Sequence, residues 1–268
     1  MDFKLPTRKQ DSNKGTFGKV LNIAGSKYMP GAAYLSSVSA LKIGCGYCFL
    51  CSEESVLKTV ANQTQNVVFL PLSELKKHIK TSDVLEIGCG LSTSLKSRII
   101  FKTAIRYSNI PTIIDADGIN ILSEIKSIKL PKSLILTPHP KEASRLLKKS
   151  VDDILSNIED SAKEISKKYN CITVLKSHHT IVCSKELEIY KNKTGNSSLA
   201  KAGSGDVLTG IISGLISQKM DLFEAAKLGV YLHGRSGELA SKNLSEYSVM
   251  AEDIINYLPN AILELTCP

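Results

Sequence analysis

The chain has 268 residues, 43% of them hydrophobic, and 34 Lys+Arg against 26 Asp+Glu give a formal net charge of +8. That length and apolar content allow a substantial core, which excludes a disordered chain, and an α/β fold of this size forms one domain, so a single domain over 1–268 is expected. No basic N-terminal stretch leads into a long apolar run, and no segment reaches the roughly 18 uninterrupted apolar residues of a membrane span, so a cytoplasmic protein with no membrane association is expected.

In chain order, Lys19–Ala24 reads as a β-run, followed by helical spacing over Gly31–Ile43, where Leu35, Val38 and Leu41 form one inward face. The next run, Tyr47–Cys51, carries two of three cysteines spaced three apart, Cys45, Cys48 and Cys51. A metal site there is set aside, because the run reads as a buried strand and no nearby fourth cysteine completes a cluster. All seven cysteines are expected to be free thiols in a reducing compartment. Asn66–Leu70, Val84–Ile87, Pro111–Asp115, Leu134–Leu136 and Cys171–Leu175 read as further strands, alternating with helices Thr93–Tyr107, Lys141–Leu147 and Glu159–Tyr169. Such alternation predicts a mostly parallel sheet covered by helices. After Thr180–Cys183 and Leu187–Tyr190 the pattern turns helical, over Asp206–Gln218, Leu222–Leu239 and Val249–Tyr257, with Asn192–Gly205 read as an active-site loop. The lysines are scattered, without a basic stripe interleaved with aromatics, so no nucleic-acid partner is expected; the positive field instead suits polyanionic small molecules such as nucleotides.

The segment Asn196-Ser-Ser-Leu-Ala-Lys-Ala-Gly-Ser-Gly-Asp206 opens the late helix with small residues and a carboxylate. Free N–H groups and the helix dipole make such a terminus an anion site. Asp206 is either a general base or simply a helix cap, for which aspartate is equally suited. The segment lacks the Gly-Lys-Ser/Thr ending of a Walker loop and lies too late in the chain for a Rossmann fingerprint. An anion hole beside a carboxylate is what phosphoryl transfer to an alcohol requires.

Residues 196–214 also resemble the signature of the ADP- or ATP-dependent (S)-NAD(P)H-hydrate dehydratases of the ribokinase-like superfamily. Further matches are Lys14-Gly-Thr-Phe-Gly-Lys-Val-Leu-Asn-Ile-Ala-Gly-Ser26, Pro30-Gly-Ala-Ala33, Ile87-Gly-Cys-Gly-Leu91, Asp115-Ala-Asp117, Leu136-Thr-Pro-His-Pro-Lys-Glu142, Leu175-Lys-Ser-His-His-Thr180 and Val230-Tyr-Leu-His-Gly234. The family usually has histidine at Asn13, proline at Cys89 and glycine at Ser177 and Ala202. A Cβ at Ala202 raises the question of whether the anion hole keeps its backbone shape.

The resemblance implies a three-layer ribokinase-like α/β fold, with a central mostly parallel sheet flanked by helices. It implies that Asp206, with Ala202, Gly203, Ser204 and Gly205, carries catalysis, and that Ala32, Ala33, Gly90, His139 and Asp206 contact hydrated NAD(P)H. It assigns Lys176, Ser177, His178, His179, Thr180 and Gly205 to ADP or ATP, with Mg2+ on the phosphates, no direct protein ligand to metal, and Glu142 reaching magnesium through water. Each assignment has a plainer alternative. The small residues allow tight packing, Gly90 forms a turn, His139 is structural, and Glu142 favours a helix start. The implied reaction dehydrates the S epimer of hydrated NADH or NADPH, converting ADP to AMP, as metabolite repair. A separate epimerase would serve the same metabolite, since the match begins near Asn13 and leaves no room for a fused one. A homo-oligomer, such as a tetramer, is expected. The alternatives are a kinase of the same fold resembling hydroxyethylthiazole kinase, and a nucleotide-binding protein without catalysis.

Overall fold

The computed structural model describes residues 3–266, so the expected thiol Cys267 lies outside it. Among the described residues nine strands form one sheet in the order β3-β2-β1-β4-β5-β6-β7-β8-β9. They are β1 (Lys19–Ile23), β2 (Tyr47–Ser52), β3 (Val68–Pro71), β4 (Val84–Ile87), β5 (Thr112–Ile114), β6 (Leu134–Leu136), β7 (Ile172–Leu175), β8 (Ile181–Cys183) and β9 (Ile189–Lys191). Pairing is parallel from β3 through β7, and β8 and β9 add antiparallel at one edge. The parallel part reflects its sequence: β4, β5, β6 and β7 are buried at every position, as strands covered by helices on both faces must be.

The helices are α1 (Pro30–Lys42), α2 (Glu54–Ala61), α3 (Leu75–Ile79), α4 (Leu95–Tyr107), α5 (Ala116–Glu124), α6 (Pro140–Leu147), α7 (Val151–Ser156), α8 (Ile158–Tyr169), α9 (Ser204–Ser217), α10 (Leu222–Ser248) and α11 (Ala251–Thr266). One core lies between the sheet and α4, α5, α6 and α8, and includes Phe101, Ile119, Leu146 and Ile165. The other joins the sheet to α9, α10 and α11 through Val84, Ile113, Ile211, Leu228 and Ile254. As the spacing suggested, Leu35 and Val38 pack on this second core, while Leu41 packs against smaller clusters on the β2 side. Helix α1 lies against α9 because Gly210 and Gly214 leave room. A Cβ at Gly210 would stand 2.1 Å from the Ser36 carbonyl, and one at Gly214 would stand 2.3 Å from Ile43.

Four helices escaped the hydrophobic pattern: α2, α3, α5 and α7. All are nine residues or fewer, too short for the period to repeat clearly. Helix α10 runs nine residues past the expected Leu239, to Ser248, with a non-helical Ser245 inside. Helix α11 continues through Pro259. The strand order reverses at β1, where the chain leaves for β2 and β3 and returns to β4. Open parallel sheets form their ligand crevice beyond the strand C-termini at such a switch point. There the turn after β1 meets the turn after β4, with Gly25 N–H donating to the Cys89 carbonyl at 2.8 Å.

Candidate active site

The glycine-rich turn leads into α9 with Gly203 as the capping residue, at φ 91°. That left-handed conformation costs little for glycine. Asp206 sits in the first turn, and no side chain caps this helix, so the capping alternative for Asp206 does not hold. Ala202 is absent from the residues with positive φ, as is Ser177, so neither departure from glycine strains the backbone. Gly203 is the position that tolerates no side chain: a Cβ would lie 2.6 Å from Leu35 Cδ1 and 3.0 Å from Ala251 Cβ. Gly203→Ala is expected to cost about 1–3 kcal/mol of stability, the range for a strained non-glycine residue, and to distort the turn; a urea titration and a nucleotide-binding isotherm measure the two effects.

Below this turn lies a cluster that local patterns did not reveal. Asp115, at the C-terminal end of β5, is 1% exposed and accepts from Lys176 Nζ at 2.7 Å and from Thr209 Oγ1 at 2.7 Å. Burial opposes the charge of both partners of the ion pair. The attraction outweighs it, holding the Asp115 carboxyl below the usual carboxylate range and the Lys176 ammonium above the usual lysine range. Lys176 also overlooks the turn, since its Nζ lies 3.4 Å from the place of a Cβ on Gly205. Ligand atoms of Cys89, Asp115 and Asp206 all lie within 4.8 Å of one another. Because Lys176 and Thr209 already hold Asp115, that trio reads as an electrostatic cluster rather than a metal cage. Burial, and then the negative charge of Asp115, push the Asp206 carboxyl up to about 6, with Cys89 and Lys176 pulling it down. Asp206 is thus ionised at neutral pH and more basic than an ordinary aspartate.

Two cavities flank the turn. One, of about 660 Å³, is lined by His139, Lys176, Ser177, His178, Thr180, Ser204 and Gly205, among others, with Leu199, Leu208 and Val230 as apolar walls. The other, of about 730 Å³, lies between α1 and the start of α11 and is lined by Gly31, Tyr34, Lys201, Ala202, Met250 and Glu252, among others. Lys201 faces both. Gly90 abuts Ala32, where a Cβ on Gly90 would stand 2.7 Å from Ala32 Cβ. Ala33 is completely buried and offers no surface to a ligand. His179 is exposed, with its ring 4.3 Å from that of His178, and lies outside the cavity lining.

His139 caps α6. Its Nδ1 accepts from Lys141 N at 3.1 Å and Glu142 N at 3.2 Å, while Glu142 Oε2 accepts from the His139 N–H at 2.8 Å. That is a reciprocal capping box. Burial and the nearby Lys176 lower the His139 pKa, so the ring is neutral and its 3.3 Å approach to Glu142 is not an ion pair. Burial raises the Glu142 carboxyl to about 7. Magnesium takes oxygen ligands and keeps several waters. The residues lining the cavity of His139, Lys176 and Gly205 include no carboxylate, and Glu142 is engaged in the capping box. This donor set fits magnesium carried on phosphate oxygens and reached through water; it does not fit a direct protein cage.

The structure therefore gathers Asp206, Gly203–Gly205, Lys176, Ser177, His178 and Thr180 around one turn, whereas Ala32 and Gly90 adjoin each other and line neither cavity. Sequence reasoning omitted Asp115, Thr209 and Lys201 as site residues. An aspartate ending the run Thr112-Ile-Ile-Asp115 was the signal for the first. The Cys45, Cys48 and Cys51 thiols are buried, with Cys48 and Cys51 in different core clusters.

A mostly parallel sheet with a crevice at its switch point, and a glycine-rich helix start beside a buried carboxylate, define a ribokinase-like α/β protein. The sequence pattern of the NAD(P)H-hydrate dehydratases matches residues 20–260, and the chain belongs to that family. It is 35% identical to an ADP-dependent (S)-NAD(P)H-hydrate dehydratase of Neisseria meningitidis, over 88% of this chain and 81% of that one. It is 33% identical to the bifunctional NAD(P)H-hydrate repair enzyme of Thermofilum pendens, covering 97% of this chain but 53% of the relative. The chain thus spans about half the length of such bifunctional relatives. The crystal structure of the ADP/ATP-dependent NAD(P)H-hydrate dehydratase from Bacillus subtilis, co-crystallized with ATP/Mg2+, superposes with a TM-score of 0.89 at 30% identity, covering 97% of this chain and 94% of that one. A hydroxyethylthiazole kinase from Pyrococcus horikoshii shares the fold alone, at 14% identity and a TM-score of 0.66.

Proposed function

We propose that this protein dehydrates the S epimer of hydrated NADH and NADPH at the expense of ADP or ATP. The observation that carries the reading is the turn at residues 201–205, which stands between two cavities with the basic carboxylate of Asp206 beneath it. Two ligands can then approach one anion site from opposite sides. In this reading the nucleotide occupies the cavity of Lys176, Ser177, His178 and Thr180, and the hydrated dinucleotide lies by Ala32, Gly90 and Lys201.

Asp206 accepts the proton of the ring hydroxyl, whose oxygen attacks the terminal phosphorus of the nucleotide. The backbone N–H groups that open α9 receive the charge on the moving phosphoryl. Magnesium on the nucleotide would neutralise phosphate charge. Lys176, fixed by Asp115, lies above Gly205, where it steadies the phosphates without being free to wander. Hydroxide is a poor leaving group, and its phosphate ester is a good one. The ring nitrogen then expels phosphate as the C–O bond breaks, and loss of a proton from the adjacent carbon restores the dihydropyridine. ADP would yield AMP and phosphate. The relatives' names support this outcome over a kinase, in which the phosphorylated alcohol is the product.

Incubating the purified S epimer of hydrated NADH with Mg2+ and either ADP or ATP tests the proposal. Recovery of NADH that requires nucleotide supports it, and a stable phosphorylated product without NADH would make the protein a kinase. Thr180→Phe is expected to weaken nucleotide binding by tenfold or more through steric filling of the cavity, an order-of-magnitude figure equal to about 1.4 kcal/mol. Dinucleotide binding should change little, so equal losses in the two isotherms would count against the assignment of the cavities.

A further inference from the structure

Glu86 stands on the face of β4 that meets α1 and α9, and it is completely buried. A carboxyl in such a place is either neutral or paired with a cation. No ion pair holds it among the described residues. Its neighbours are the Ser213 hydroxyl at 2.6 Å, the Cys89 thiol at 3.9 Å and the Ser36 hydroxyl, and across the β1–β4 register its partner is Asn22.

Counting hydrogens shows a deficit here. The single Ser36 proton has two acceptors, the Ala32 carbonyl at 2.9 Å and the Glu86 carboxyl, so in either case its oxygen takes a hydrogen from Asn22 Nδ2, 2.7 Å away, and this fixes the orientation of the amide. Asn22 Oδ1 is then buried with no protein donor. The single Ser213 proton has two acceptors, Glu86 Oε2 and the Gly210 carbonyl at 3.0 Å. An ionised Glu86 only accepts, in a pocket already short of hydrogens, whereas a carboxylic acid contributes one.

We propose that Glu86 is a positioning residue that works as a neutral carboxylic acid, holding the floor beneath Asp206 and losing that role when alkali ionises it. The titratable groups facing it are Cys89 from the turn after β4, Asp115 from the end of β5, Asp206 from α9, Cys45 from the turn before β2 and Cys48 from β2 itself. Asn22 of β1 and Ser36 of α1 face it without charge. Burial keeps the three cysteines as thiols, and the Lys176 ammonium is already bonded to Asp115. Burial, with the charges of Asp115 and Asp206, pushes the Glu86 carboxyl up to about 8, against the hydrogen bonds from Ser213 and Ser36. Ionisation would add a third carboxylate charge to a pocket with one ammonium, opposing anion binding at the start of α9.

The sign of the stability effect follows. An acid whose folded pKa lies above its unfolded value of 4.5 contributes stability that is complete below that value and is lost as pH rises to about 8. Glu86→Gln keeps the shape and needs no proton, so its contribution does not fall.

The test is thermal melting of the unliganded wild type and Glu86→Gln at a series of pH values. The melting temperature of the variant is expected to gain on the wild type by roughly 3–5 °C per pH unit between about pH 5 and 8, then level off. Should glutamine prevent folding, Glu86→Met, equally free of a proton, serves in the same comparison. In turnover of hydrated NADH, which rests on the function proposed above, wild-type activity should decline above about pH 8 and that of Glu86→Gln should persist. The melting comparison uses no substrate, so failure of the proposed reaction leaves it able to decide. Parallel melting curves, or an alkaline decline unchanged in the variant, would overturn the proposal.

Discussion

Asp206→Asn should fold normally and lower the turnover of hydrated NADH by about 10²–10⁴-fold, the range for loss of a general base. The helix gives no reason for a stability loss, because Gly203 holds the capping position and Asp206 makes no capping bond. Asparagine also removes a charge crowded by Asp115, so nucleotide binding should change little. The wild type supplies a matching pH dependence. With its carboxyl at about 6, Asp206 works as a base above that pH, and the rate should fall as acid protonates it. A folded Asn variant with wild-type turnover would remove Asp206 from the mechanism.

Lys176→Met should lower stability by about 3–5 kcal/mol, because it leaves the Asp115 carboxylate buried without its cation. Urea unfolding at neutral pH measures the loss. The pH dependence should also reverse at this site. In the wild type the depressed Asp115 pKa contributes stability above its unfolded value, and that contribution is lost as pH falls through the folded one. Without Lys176, burial alone acts on Asp115 and raises its pKa, so the variant should recover stability as acid neutralises the carboxyl. Adding Asp115→Asn to Lys176→Met should restore part of the loss, since the uncompensated charge is then gone. A single variant as stable as the wild type would mean that the pair does not hold β5 to β7.

What the sequence revealed depended on how local each feature is. The glycine cluster before α9 was legible because the turn that needs it is contiguous, and the buried parallel strands declared themselves as short apolar runs. Asp115 and Lys176 are 61 residues apart, and only the β5-β6-β7 order brings them together; no spacing rule encodes that contact. Thr209 reaches Asp115 across 94 residues for the same reason. The role of His139 was half legible: the Pro-His-Pro segment marked a helix start, but only the folded chain brings its ring to accept two backbone hydrogens. The short helices α2, α3, α5 and α7 stayed hidden because a helix of nine residues or fewer owes its stability to packing rather than to a repeating pattern. Nothing in the run Val84–Ile87 singles out Glu86, whose partners come from α9 and the turn after β4.

In the proposed reaction, phosphorylation at this site serves to expel water from the hydrated ring. The most direct measurement follows NADH, free phosphate and nucleotide product together when the protein acts on the purified S epimer of hydrated NADH with Mg2+ and ADP or ATP. The proposed reaction yields all three in equal amounts and only when nucleotide is present. Nucleotide consumed with no NADH formed, or NADH formed at the same rate without nucleotide, would contradict it.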